Sequence, residues 1–210
     1  MLLSKAQRKQ FLEICLRKAS YPTTNDRGRL RELSTYALPN LSLLTSHAVR
    51  GAWAANNYMA PRNTQDIDLL TTETEYQQLL DELELRGYAI EGSLELAPKG
   101  RMEPMYVARL INSSVDYPII DVLTSPDNWV RAALTDATQD PHGNKVLSIP
   151  YLVLMKMDAR MRDMSDITAI LGDADGATLA RTKDLVLRYL PNSLDDFANL
   201  VLLAKIEAGA

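Results

Sequence analysis

The sequence predicts an α/β fold, in the α+β sense of a mixed sheet flanked by helices, with a helical segment at the C-terminal end. Three observations lead there. Between residues 46 and 148, apolar runs of strand length alternate with stretches of helical periodicity. After Pro150 the apolar spacing is helical to the end. A chain of 210 residues with 46% hydrophobic content can also bury a sizeable core without disulfides, and the lone Cys15 permits none.

The elements follow in order. Leu12, Cys15, Leu16 and Ala19 fall at i, i+3, i+4 and i+7, which predicts a helix over Lys5 to Ser20. The turn-rich stretch from Pro22 to Gly28 ends it and marks a hinge. A short strand is expected at Ser46 to Arg50, then a short helix at Ala52 to Tyr58 entered through Gly51. Pro61 interrupts, and Asp66 to Thr71 reads as a strand. Tyr76, Leu79, Leu80 and Leu83 share one face of a helix over Glu73 to Arg86, stopped by Gly87. Strands are expected at Tyr88 to Glu91, Met105 to Ile111 and Tyr117 to Leu123. Ser125-Pro126-Asp127 opens a helix to about Leu134, and Lys145 to Ser148 reads as a further strand. In the tail, Pro191-Asn192 separates a helix carrying Leu185, Tyr189 and Leu190 from one carrying Leu194, Phe197, Leu200, Val201 and Ala204. The organisation expected is a basic helix and linker at 1–29, a core at 30–148 and a helical segment at 149–210.

Charge and composition narrow the chemistry. One cysteine and two histidines, His47 and His142, are too few for a zinc or iron–sulfur site, so any metal must rest on carboxylates. No apolar run has the length of a membrane span, and Met1 to Gln10 offers no apolar stretch for a secretory signal. A cytoplasmic location without membrane partners is the expectation. The net charge of −4 is unevenly spread. Residues 1–31 carry eight basic groups against Glu13 and Asp26, and the remainder carries 15 basic against 25 acidic groups. Such an arm suits a phosphate-rich partner such as RNA, or simply a solvated helix face.

The most informative stretch runs from Arg50-Gly51-Ala52-Trp53 to Arg62-Asn63-Thr64-Gln65-Asp66-Ile67-Asp68. Asp66 and Asp68, two apart on a strand, project from the same face. Two carboxylates side by side repel, and a divalent cation relieves that cost. Mg²⁺ (or Mn²⁺) suits the pair, since it takes one or two carboxylates and fills its other positions with water and phosphate oxygens. Gly51, between a strand and a helix, lets phosphates approach the backbone. Asp121 sits in the apolar strand Tyr117-Pro118-Ile119-Ile120-Asp121-Val122-Leu123, where a charge is costly without a partner. If that strand neighbours the first, Asp121 completes a three-carboxylate cluster; Asp116, beside Ser113-Ser114, is its rival.

Gly51, then Arg62-x-Thr64-x-Asp66-Ile67-Asp68, then Asp121 on a later strand resembles the nucleotidyltransferase-fold superfamily. The likeness is to its minimal nucleotidyltransferases and to the abortive-infection toxins of bacterial toxin–antitoxin systems. Lys156, followed by Arg162-Asp163-Met164-Ser165-Asp166-Ile167, is similar to that group's helical motif, and the resemblance spans about residues 46–172. It implies catalysis by Asp66, Asp68 and Asp121, the same three ligating metal. Gly51, Ala52, Arg62, Thr64, Lys156, Arg160 and Asp163 would meet the nucleoside triphosphate. The implied reaction moves a nucleoside monophosphate to a hydroxyl of RNA, protein or a small molecule, and a cognate antitoxin is an implied partner. The family usually has Gly-Gly or Gly-Ser where this chain has Gly51-Ala52, which leaves a non-catalytic binding module as the alternative.

Overall fold

A computed structural model of the chain describes residues 43–209 except 62, 63, 65, 98, 99, 115, 116 and 158–160, with only the backbone at 161 and 162. The expected basic helix and hinge, Arg62, Arg160 and Asp116 therefore lie outside the described residues.

The strands are β1 (Ala48–Arg50), β2 (Asp66–Leu70), β3 (Tyr88–Leu96), β4 (Met105–Asn112), β5 (Ile119–Thr124), β6 (Thr138–Gln139) and β7 (Lys145–Val146). The helices are α1 (Gly51–Ala55), α2 (Glu73–Glu84), α3 (Asn128–Asp136), α4 (Ile149–Met157), α5 (Met161–Gly172), α6 (Gly176–Tyr189) and α7 (Leu194–Glu207). A 3₁₀ turn at Pro191–Ser193 links the last two. The strands form one mixed seven-stranded sheet in the order β3-β4-β5-β2-β1-β7-β6, which with its flanking helices is the fold class expected.

Central strands read as continuous apolar runs because both faces are covered. Along β5 every residue after Ile119 is buried, and β5 runs parallel to β2 and antiparallel to β4. The chain passes from β2 to the parallel β5 through α2, β3 and β4, and Leu79, Leu80 and Leu83 of α2 are buried. Each such side chain contributes roughly 1.5–3 kcal/mol by leaving water. The apolar cluster is continuous from Ala48 in β1 to Ala204 in α7, so the sheet and the C-terminal helices share one core.

Several boundaries differ from the sequence-based ones. Helix α1 stops at Ala55 rather than Tyr58. Asn57 N and Tyr58 N close tight turns onto Ala54 O and Ala55 O, and the Tyr58 hydroxyl donates to Leu147 O at 3.0 Å. Strand β3 continues to Leu96, because a bulge between Ile90 and Gly92 interrupts the alternation but not the pairing. Strand β6 is exposed and carries no apolar signal.

Three contacts tie the helices to one another and to the β3–β4 connection. Gly100, with φ +61°, lies so close to Tyr189 O that a Cβ would overlap it, and Arg101 N donates to the same carbonyl at 2.7 Å. Lys205 Nζ on α7 donates to Gly172 O and Ala174 O at the end of α5, where a cation also meets the negative end of the helix dipole. Arg181 on α6 pairs with Asp136 at the end of α3 at 2.8 Å. Among the described residues no helix is long and apolar enough to cross a membrane.

Candidate active site

The sheet registers bring four charged residues into one row. Arg50 on β1 is the partner of Asp68 on β2, Asp68 of Asp121 on β5, and Asp121 of Arg109 on β4. Register partners share a face, so the row reads Arg–Asp–Asp–Arg across four strands about 4.8 Å apart. Asp66, two residues before Asp68, stands on that face as well. The strand of Asp121 thus neighbours that of Asp66 and Asp68, the condition on which a three-carboxylate cluster depends.

Each carboxylate has a definite neighbour. Asp121, in a residue only 7% exposed, accepts both arms of the Arg109 fork: Nε to Oδ1 at 2.7 Å and Nη2 to Oδ2 at 2.6 Å. This bidentate geometry is the strong form of a charge-assisted pair. The hydrogen bonds from Arg109 to Asp121 raise the guanidinium's proton affinity above its ordinary value; burial opposes this, and the charges of Asp121, Asp66 and Glu91 add to it. Asp68 lies 3.8 Å from Arg50 Nη2, while Arg50 Nε is buried without a hydrogen-bond partner among the described residues. Asp66 Oδ1 accepts from the Thr64 hydroxyl at 2.9 Å, and Thr64 is itself buried.

Gly51 begins α1 directly after β1 with φ +70°, a conformation that L side chains rarely adopt. A Cβ there would overlap Asp68 Oδ2 and fall 2.8 Å from its Cγ. The missing side chain therefore makes room for the Asp68 carboxylate itself. Ala52, next in the chain, is buried in α1, which packs on β2 and against α4 and α5.

The late motif has its own ion pairs. Lys156, 6% exposed at the end of α4, donates from Nζ to Asp163 Oδ1 at 3.1 Å and to Asp166 Oδ2 at 2.7 Å on α5. These three residues tie two helices together.

Sequence reasoning missed Arg109, and the signal that marks Asp121 marks it too. In Met105-Tyr106-Val107-Ala108-Arg109-Leu110-Ile111 one charge interrupts an apolar strand, and it needs a partner. Among the described residues no group of three or more His, Cys, Asp or Glu is disposed to hold a metal ion. The fork turns both oxygens of Asp121 toward Arg109. The donor set that remains, Asp66 and Asp68 on one strand face, has the oxygen chemistry and ligand number that Mg²⁺ accepts.

No family profile and no curated protein matches this sequence. Among solved structures, the chain is similar to a nucleotidyltransferase candidate from H. pylori at 16% identity and TM-score 0.44, over 79% of this chain and 88% of that one. It is similar to the lincosamide antibiotic adenylyltransferase LnuA with lincomycin bound, at 14% identity and TM-score 0.41, over 80% of this chain and 96% of that one. The antibiotic-resistance factor ANT(2'')-Ia is similar at 13% identity and TM-score 0.44, over 73% and 87%.

Proposed function

We propose that this chain is a nucleotidyltransferase that moves a nucleoside monophosphate from a nucleoside triphosphate to an acceptor hydroxyl, with Mg²⁺ or Mn²⁺ as cofactor. One observation carries the reading. Asp68 and Asp121 are register partners on adjacent parallel strands, Asp66 shares their face, and Gly51 is cut back to admit Asp68. Three acids on one sheet face repel one another, and binding a cation gives that arrangement a use.

Asp66 and Asp68 are the residues that would hold the cation. When bound, it neutralises triphosphate charge and favours in-line displacement at the α-phosphorus. The protein's own residues do the positioning. Thr64 fixes the orientation of Asp66 through its hydroxyl. Gly51 leaves Asp68 its place beside the turn from β1 to α1. Asp121 would orient the attacking hydroxyl and accept its proton as the hydroxyl oxygen bonds to the α-phosphorus and the bond to pyrophosphate breaks. Arg62, Arg160 and the basic arm over 1–31 are further candidates for contact with triphosphate or an RNA acceptor. Positioning and charge placement, rather than covalent chemistry, would supply the rate.

A thermal-shift titration tests this reading. A nucleoside triphosphate with Mg²⁺ at 100 times its dissociation constant adds about 2.7 kcal/mol of stability. The shift should need both nucleotide and cation and should vanish in Asp66→Asn. A chain that shifts with none of the four common triphosphates, with Mg²⁺ or Mn²⁺, is a binding module on the same fold and not this enzyme.

A further inference from the structure

Arg109 plays no part in the reaction as set out above, yet it makes the most complete polar contact in the site. Its fork covers both oxygens of Asp121 at 2.7 and 2.6 Å, and its side chain is only 16% exposed. If a cation held by Asp66 and Asp68 also takes Asp121 as a third ligand, it binds the same oxygens. Two cations bound to one carboxylate at such distances repel strongly where water is sparse. The fork and a metal ion therefore compete for Asp121.

We propose that Arg109 is a counter-ion latch: it holds Asp121 while no cation is bound and releases it when a divalent cation is taken up. This rests on reading the site as a cation-dependent nucleotidyltransferase. The latch has a physical purpose. Asp66, Asp68 and Asp121 on one face would repel if left uncompensated, and Arg109 with Arg50 supplies two positive charges at the two ends of the row. Arg109 is in this sense a positioning residue, acting through the carboxylate it grips. Its place on β4 suits the task, because the antiparallel β4–β5 register sets it directly beside Asp121. Asp66 and Glu91 also face its charge, so the guanidinium released from Asp121 stays among acids.

Binding of Mn²⁺ to the full chain, followed by electron paramagnetic resonance, tests the latch without any turnover. Arg109→Gln should bind Mn²⁺ about tenfold more tightly than the parent if the unlatched state is about one-tenth populated. Arg109→Lys keeps the charge, loses the fork and should fall between; it also serves if Arg109→Gln does not fold. The gain should disappear when Arg109→Gln is combined with Asp121→Asn. Unchanged or weaker binding by a folded Arg109 variant overturns the latch, as does an equal gain in the Asp121→Asn background, which would mean only a changed field. If neither parent nor variant takes up Mn²⁺, the nucleotidyltransferase reading falls with it; if the parent binds and the variant matches it, only the latch falls.

Discussion

Gly51 and Asp68 occupy space that only one side chain can fill. The carboxylate of Asp68 lies where a Cβ on Gly51 would be, and the backbone of Gly51 is held at φ +70°. The glycine thus serves the acid on the neighbouring strand before it serves any ligand.

Gly51→Ala should therefore act twice. Forcing a side chain into positive φ costs about 1–3 kcal/mol, and the overlap pushes Asp68 out of the row. The expected result is a folded but less stable protein whose nucleotide-dependent thermal shift is lost. Urea denaturation and thermal-shift titration read the two effects separately. An alanine variant that keeps the full shift contradicts this account of Gly51.

Thr64→Val tests whether the Thr64 hydroxyl positions Asp66. Removing a hydrogen bond to a charged group costs about 1.5–3 kcal/mol where the group is held from water. The loss should fall on nucleotide and cation binding more than on unfolding, and Thr64→Ser should restore it. Equal behaviour of the valine and serine variants would show that the hydroxyl is idle.

Lys156→Ala should destabilise the fold. It leaves Asp166, 3% exposed, without its buried cation, and breaking such a pair costs about 3–5 kcal/mol. Chemical denaturation measures this directly. A lysine whose main work is on the triphosphate would instead leave stability unmoved and raise the nucleotide KM.

How much of this was legible in the sequence depends on the kind of signal. Periodicity locates β2, α2 and β5, because their apolar faces are covered by neighbours that the pattern implies. The Asp66–Asp68 pair is visible for the same reason, since two-residue spacing on a strand fixes a common face. Register is not visible. Nothing local in the chain says that Asp68 meets Asp121, or that Arg109 meets both oxygens of Asp121, because these follow from strand order. Nor does the motif around Lys156 say that the lysine closes on Asp163 and Asp166.

Alkaline pH should weaken the fold through buried tyrosines, Tyr76 and Tyr88 foremost. Burial pushes Tyr76 and Tyr88 up to about 12, from an ordinary value of 10.0. Below pH 10 both hydroxyls keep their protons in the folded and unfolded chain, so stability there is unaffected. As pH rises from 10 toward about 12 the unfolded chain releases protons first, and stability falls. Tyrosinate absorbance and denaturant unfolding across this range check the sign. The Tyr88 hydroxyl is buried without a partner among the described residues, so Tyr88→Phe should flatten the slope at no cost below pH 10.

The proposed transfer depends on Asp66 and Asp68 holding the cation and nucleotide. Incubating the chain with α-labelled nucleoside triphosphates, Mg²⁺ and a cell lysate, then comparing it with Asp68→Asn, tests this most directly. The parent chain should leave covalent label on an acceptor and the variant none, while circular dichroism shows both folded. Equal labelling by a folded Asp68→Asn variant would contradict it.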